Sequence, residues 1–416
     1  MINRRQVLVG GAITSIALQA RPLVAQSASE VLVGAIFPMS GPSAQVGSDA
    51  RFALETAVEI VNGKFDVDLP TARNAGLAGL GGAKIKLVFA DHQGDPQKGR
   101  AETERLITQD GVKAMIGVYH SSVAATAAAT CERYNVPLVV GDSTSASLIR
   151  RGLKYFFRTT AHDEMFSVAM FDFLDAQRAA GTKIKSIGLF HEDTIFGTDS
   201  SNAQRELAKA RGYDVVVDIK YRANSPSLTS EVQRVKNANP DVILPTSYTT
   251  DAILFVRTMD ELGYKPKNIL AQAAGFAEKA VFDAVGDKLN GMLSRASFSI
   301  DMAARRPSID VVNKMFKARS GRDLNDNSSR QLMAMIVLAD AIDRAKSSDG
   351  PKIRDALAAT NIPGDQTIMP WSKCAFGPDG QNMNADPVLI QYRDKNWVTV
   401  FPSSVATTKA IWPMNA

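Results

Sequence analysis

Cysteine is nearly missing: the 416 residues include two, Cys131 and Cys374. A disulfide framework is thereby excluded, and one bridge between these two is the most the chain can form. Histidine is as sparse, and His92, His120, His162 and His191 are scattered rather than clustered with cysteine. Neither a metal nor a cofactor is therefore expected. Charge of one sign is not in excess either, since 48 basic residues face 43 acidic ones for a net +5. No basic run is interleaved with aromatics, so there is no nucleic-acid footprint. Beyond the N-terminus no apolar run reaches the roughly 20 residues that cross a bilayer. No G-x-G-x-x-G or G-x-x-x-x-G-K-S/T follows a strand, and no G-x-S-x-G elbow occurs. His120 does stand beside Ser121, but adjacent residues on a loop rarely face each other. Catalysis is not expected.

What is present begins with an address. Arg4-Arg5 precedes an apolar stretch from Val7 to Ala20, followed by Leu23-Val24-Ala25-Gln26-Ser27. A charged start, a short apolar run and a small-residue end are the layout of a secretory signal, here assigned to residues 1–27 with cleavage after Ala25 or Ser27. The paired arginines also fit, loosely, a twin-arginine signal. The mature protein is expected to be exported, to the periplasm.

The chain is organised around Val33-Gly34-Ala35-Ile36-Phe37 and the loop Pro38 to Gly47. A continuous apolar run without in/out alternation suits a parallel strand covered on both faces. Prolines and glycines hold an open loop at its carboxyl end, where open α/β sheets bind ligands. A helix is expected from near Ser48 to Asn62, then an exposed excursion over 63–83. Strands at Ile85–Asp91, Ala114–Val118 and Val136–Gly141 alternate with helices, the first capped by Asp95 and Pro96. A second series runs through strands at 186–190, 214–219, 242–245 and 268–272, with helices at 165–179, 201–211, 228–237 and 251–262. Alternating strands and helices signal βαβ units. Ser329 to Ala345 is a strong, buried helix, and Val388–Tyr392 with Trp397–Pro402 a closing hairpin. The fold class is α/β, with two doubly wound parallel-sheet lobes.

Placed in order, these segments resemble the periplasmic solute-binding proteins of the leucine/isoleucine/valine-binding type, which serve ATP-driven (ABC) importers. The matching pieces are Gly34 to Pro42, Ile116-Gly117 with Ser121-Ser122, Phe157-Arg158-Thr159, Phe196-Gly197, Tyr264-Lys265-Pro266 and Phe376 to Gly380. The resemblance implies a type I periplasmic-binding-protein fold whose lobes are joined by crossover segments and close on a ligand. Lobe 1 is assigned residues 28–160 with about 289–387, and lobe 2 residues 161–288 with about 388–416. It also implies a membrane permease with its ATPases as partners, and a monomeric receptor. A sensing receptor of the same fold and an exported hydrolase are the alternatives.

The family's ligand groups map onto Ser121, Ser122, Ser143 and Thr144 for a carboxylate, and onto Phe196 and Tyr248 for the ligand's body. Hydroxyls and amides at helix N-termini suit a carboxylate, which only accepts hydrogen bonds. Amino-acid-binding members carry a glutamate in the turn where this sequence has Ala273-Ala274 before Gly275. A small aromatic or aliphatic carboxylate without an amine is then nearly as good a candidate as an aliphatic amino acid, since a buried ammonium would lack its partner. Asp142 and Glu192 are expected to be solvated or capping residues rather than substitutes. Phe37, Val46, Phe196, Tyr248 and Phe276 are expected to line a mostly neutral pocket.

Overall fold

The computed structural model describes residues 29–414. The expected signal, with Arg4-Arg5 and both cleavage points, lies outside these residues. In the first lobe, β1 (Glu30–Phe37), β2 (Lys84–Asp91), β3 (Ala114–Gly117), β4 (Leu138–Val140) and β5 (Phe156–Arg158) form one parallel sheet in the order β2-β1-β3-β4-β5. Its crossovers are α1 (Ala44–Asn62), α2 (Pro96–Thr108) and α3 (Ser121–Tyr134). From Val33 to Phe37 every residue of β1 is buried, as its unbroken apolar run requires. α2 starts as expected, with the Asp95 carboxylate accepting from the N–H groups of Gln97 and Lys98 and with Pro96 at the first position.

α4 (Asp163–Ala179) carries the chain to the second lobe: β6 (Ser186–Glu192), α5 (Ile195–Ala210), β7 (Asp214–Tyr221), α6 (Thr229–Ala238), β8 (Val242–Thr246), α7 (Thr249–Glu261), β9 (Leu270–Ala271), α8 (Lys279–Val285) and β10 (Leu293–Ala296). Two isolated parallel bridges, Ile243 to Ile269 and Ser247 to Ala274, join the set β7-β6-β8 to the set β9-β10. α9 (Pro307–Ser320), α10 (Asp326–Ala345), α11 (Gly350–Ala358), β11 (Asn361–Pro363) and β12 (Lys373–Ala375) return to the first lobe. There α10, buried along nearly its whole length, packs beside α1. β13 (Val388–Arg393) and β14 (Asn396–Phe401) then form the expected antiparallel hairpin at the edge of the second sheet.

Three crossover segments sit side by side and are stitched by hydrogen bonds. Arg158 Nε donates to Gln381 Oε1 at 2.7 Å, and Gln381 Nε2 donates to the Thr160 carbonyl at 2.7 Å. Asn382 Nδ2 donates to the Thr159 carbonyl at 2.9 Å, and the Thr160 and Ser297 hydroxyls lie 3.1 Å apart. Each buried polar group finds its partner on a neighbouring crossover, which fixes their spacing at the junction of the lobes.

Four expectations change. β10 still pairs with β9 and β13, so the return to the first lobe comes at Ser297 rather than about 289. The 63–83 segment is not an exposed excursion: Val67, Leu69, Ala72 and Leu77 are buried in the first lobe's core, and Gly79 N–H donates to Asp343 on α10. Its small residues allow that close seat, since a Cβ at Gly79 would lie 2.1 Å from the Asp343 carbonyl oxygen. α1 starts at Ala44, before Ser48, and α5 starts at Ile195, six residues before Ser201, so Phe196-Gly197 is its first turn rather than a loop. Cys131 and Cys374, whose pairing the sequence leaves open, are separate buried thiols.

Candidate functional site

The carboxyl ends of both sheets meet at one small cavity between the lobes. Ser121 opens α3 after β3, and Asp142 and Thr144 follow β4. Across from them stand Phe196 after β6, Tyr248 after β8, Ala274 after β9 and Arg295 on β10. The lobes are shut on this point. The Tyr248 ring packs 4.7 Å from His120 and 5.4 Å from Tyr119, with Phe196 at 5.2 Å behind it. The Ser121 N–H donates to the Tyr248 hydroxyl. Asp199 on α5 accepts from the Ser145 hydroxyl and from the Ser147 N–H at 2.9 Å, a second tie across the cleft. The closed space is about 10 Å³, room for roughly one water.

The sequence-derived candidates divide. Ser121, Thr144, Phe196, Tyr248 and Ala274 border the cavity. Ser143 does not, because its hydroxyl is spent on the carbonyls of Val118 and Tyr119. Ser122 faces an outer groove shared with His120 and Tyr248 instead. Gly275 supports the wall from behind: a Cβ there would sit 2.4 Å from the Tyr248 carbonyl carbon and the Thr249 nitrogen, so only glycine lets β9's turn approach Tyr248 this closely. Of the five apolar residues expected in the pocket, Phe37 and Phe276 belong to the two lobes' cores, and Val46 is buried away from the cavity. Their strand and turn positions point them into helix–sheet packing.

The two acids read as solvated are buried. Glu192 caps α5, accepting from the Thr194 hydroxyl and the Gly197 N–H at 2.7 and 2.8 Å, so its capping reading holds and its solvation does not. Asp142 is a wall of the cavity, 4% exposed, and faces the Arg330 guanidinium at 3.3 Å. Burial pushes its carboxyl up to about 6 despite Arg330. Asp163, at the head of α4, accepts from Gln272 at 3.2 Å, and burial raises it to about 6 as well. His120, by contrast, is held neutral by burial, its pKa lowered to about 3.

A buried charge cluster completes the wall, and sequence reasoning missed it. Arg330, on the first turns of α10, pairs with Asp326 at 2.9 Å and with Asp142, and donates to the Asn327 side chain. Asn327 donates to Glu278 across the cleft, and burial raises the Glu278 carboxyl well above its usual range. Arg295 is 1% exposed, with its guanidinium carbon 3.8 Å from the centre of the Phe166 ring. The signals were faint: a lone arginine inside an apolar strand, and another at the head of an otherwise apolar helix.

Comparison with known proteins agrees with this architecture. A family model described as periplasmic binding protein matches residues 30–396. A Leu/Ile/Val-binding protein homolog 8 from Brucella suis is 29% identical over 410 residues, covering 97% of this chain and 98% of the relative. A leucine binding protein LivK from Thermotoga maritima superposes with a TM-score of 0.76 at 21% identity, covering 89% of this chain and 98% of that one. A solute binding protein of an ABC transporter from Rhodopseudomonas palustris, in complex with 3,4-dihydroxybenzoic acid, gives 0.72 at 18% identity, over 92% of this chain and 98% of that one.

Proposed function

The chain belongs to the periplasmic binding protein family, of the type that includes leucine/isoleucine/valine binders, and on that premise we propose that it is the exported receptor of an ABC importer for a small carboxylate-bearing solute. The solute is held between the two lobes, and the closed form is handed to a membrane permease with its ATPases. Closure about the three crossovers is a hinge motion of the ordinary kind. The observation that carries this reading is the meeting of Ser121, Thr144 and the N-terminus of α3 with the Phe196–Tyr248 pair at the carboxyl ends of both sheets. Neutral hydroxyls and a helix N-terminus can hold a carboxylate without a cation. The two rings supply an apolar lid over the body. Both an aliphatic amino acid and an amine-free acid fit this description.

The test is a thermal-shift screen of the mature chain against amino acids, aromatic acids and aliphatic acids. A ligand at 100 times its dissociation constant adds about 2.7 kcal/mol of stability. Ser121→Ala and Thr144→Ala should each weaken the best ligand by about 1–3 kcal/mol, the cost of unmade bonds to a charged group. Unchanged affinity in both variants refutes the site. Mass analysis of the exported chain, beginning at Gln26 or Ala28, checks the address.

A further inference from the structure

Two arginines border the same cavity and are used in opposite ways. Arg330 is consumed by the protein, with Asp326, Asp142 and Asn327 around it. Arg295 donates no hydrogen bond to any described residue, and its Nε and Nη1 are wholly buried. Its nearest carboxylate, Asp326, lies 3.8 Å away and is occupied by the Ser297 N–H at 2.6 Å and by Arg330 at 2.9 Å. A buried guanidinium without partners is expensive for the fold alone. Its fork of donors matches a carboxylate bidentately, and the guanidinium carbon is held 3.8 Å from the Phe166 ring centroid.

We propose that Arg295 receives a second carboxylate of the solute, so that the receptor takes a short dicarboxylate with one end at Ser121 and Thr144 and the other at Arg295. This rests on the reading of Ser121 and Thr144 given above. The tightness of the closed cavity limits the chain between the two acids to a few carbons.

The probes are malonate, succinate and glutarate against length-matched propionate, butyrate and valerate, with leucine alongside, measured by thermal shift and calorimetry on the mature chain. The wild type should bind its best dicarboxylate at least about tenfold tighter than the matched monocarboxylate. Arg295→Gln should erase that preference while leaving monocarboxylate affinity in place. Arg295→Lys, which keeps the charge and loses the fork, should fall between. Equal affinity for both acid classes in the wild type overturns the proposal and leaves the carboxylate reading standing, whether or not the variants fold. Equal loss of both classes in Arg295→Gln overturns it too, making Arg295 the only anchor. If no carboxylate of either class shifts the melt, both readings fall.

Discussion

Replacing Asp142 with asparagine should remove one stabilising contribution that fades as pH rises, in a direction fixed by the carboxyl's burial. Its pKa rises from 3.8 to about 6 when folded, chiefly from desolvation, with Arg330 opposing. A raised folded pKa means that the native state binds the proton more tightly than the unfolded chain. The stabilisation is therefore complete below about pH 4, erodes between 4 and 6, and is absent above 6. At 1.36 kcal/mol per unit, a shift of roughly two units amounts to about 3 kcal/mol over the whole range and a little over 1 kcal/mol between pH 7.5 and 5. Asp163 shifts the same way, while His92 and His120, lowered by burial to about 4 and about 3, destabilise the fold as pH falls below 6.5. All of these stay in the variant, so they cancel in the difference between wild type and Asp142→Asn. Arg330 keeps its 2.9 Å partner Asp326, so the substitution strands no cation. Urea unfolding of both proteins at pH 5 and 7.5 provides the assay, read as midpoints at constant slope. The stability of Asp142→Asn relative to wild type should rise by about 1 kcal/mol from pH 5 to 7.5. Parallel behaviour at the two pH values would falsify the account of burial, and a relative fall in the variant would mean that attraction to Arg330 outweighs it.

Two other substitutions probe the frame around the site. Gln381→Ala removes the acceptor of Arg158 Nε and the donor to the Thr160 carbonyl, both at 2.7 Å and fully buried; a loss of about 2–5 kcal/mol in urea unfolding is expected, and less than about 1 kcal/mol would show that water replaces the amide at the hinge. Gly275→Ala puts a Cβ within 2.4 Å of the Tyr248 carbonyl carbon, so the backbone that carries Tyr248 must move. Calorimetry with the best ligand should find about a tenfold loss, the ratio that 1.4 kcal/mol makes, and an unchanged affinity would remove Tyr248 from the lid.

The architecture was legible because it rests on local rules. Periodicity, the Asp95–Pro96 start of α2 and the hairpin at Arg393 to Asn396 each determine their own stretch of chain. Errors fell where tertiary contact overrides the local pattern. The Gly- and Ala-rich 63–83 segment has little periodicity, yet Leu77 and Ala72 are buried because the start and end of the segment fit against α1 and α10. Phe196-Gly197 looked like a loop because its α5 cap is Glu192, a strand residue three positions before the helix begins.

The site divides along the same line. Ser121 and Thr144 were readable because a residue that follows a parallel strand must lie at the carboxyl end of the sheet, whatever the rest of the chain does. Ser143 shows the limit of that rule: being at the right end does not say which way a hydroxyl turns, and this one turns back onto Val118 and Tyr119. Arg295, Arg330 and Glu278 lie more than 120 residues beyond Asp142 in sequence and reach it through three separate elements, β10, α10 and the start of α8. Nothing local distinguishes a buried arginine paired with protein from one waiting for a partner. That distinction needs the neighbours' hydrogen bonds to be counted, and here it separates Arg330, bonded to Asp326 and Asn327, from Arg295, which donates no hydrogen bond to a described residue. It also revises the expectation of a mostly neutral pocket. The rings of Phe196 and Tyr248 share the cavity wall with the charged side chains of Asp142, Arg295 and Arg330. A branched aliphatic side chain set against Arg295 would leave its donors unmade, whereas a second acid group would accept from them.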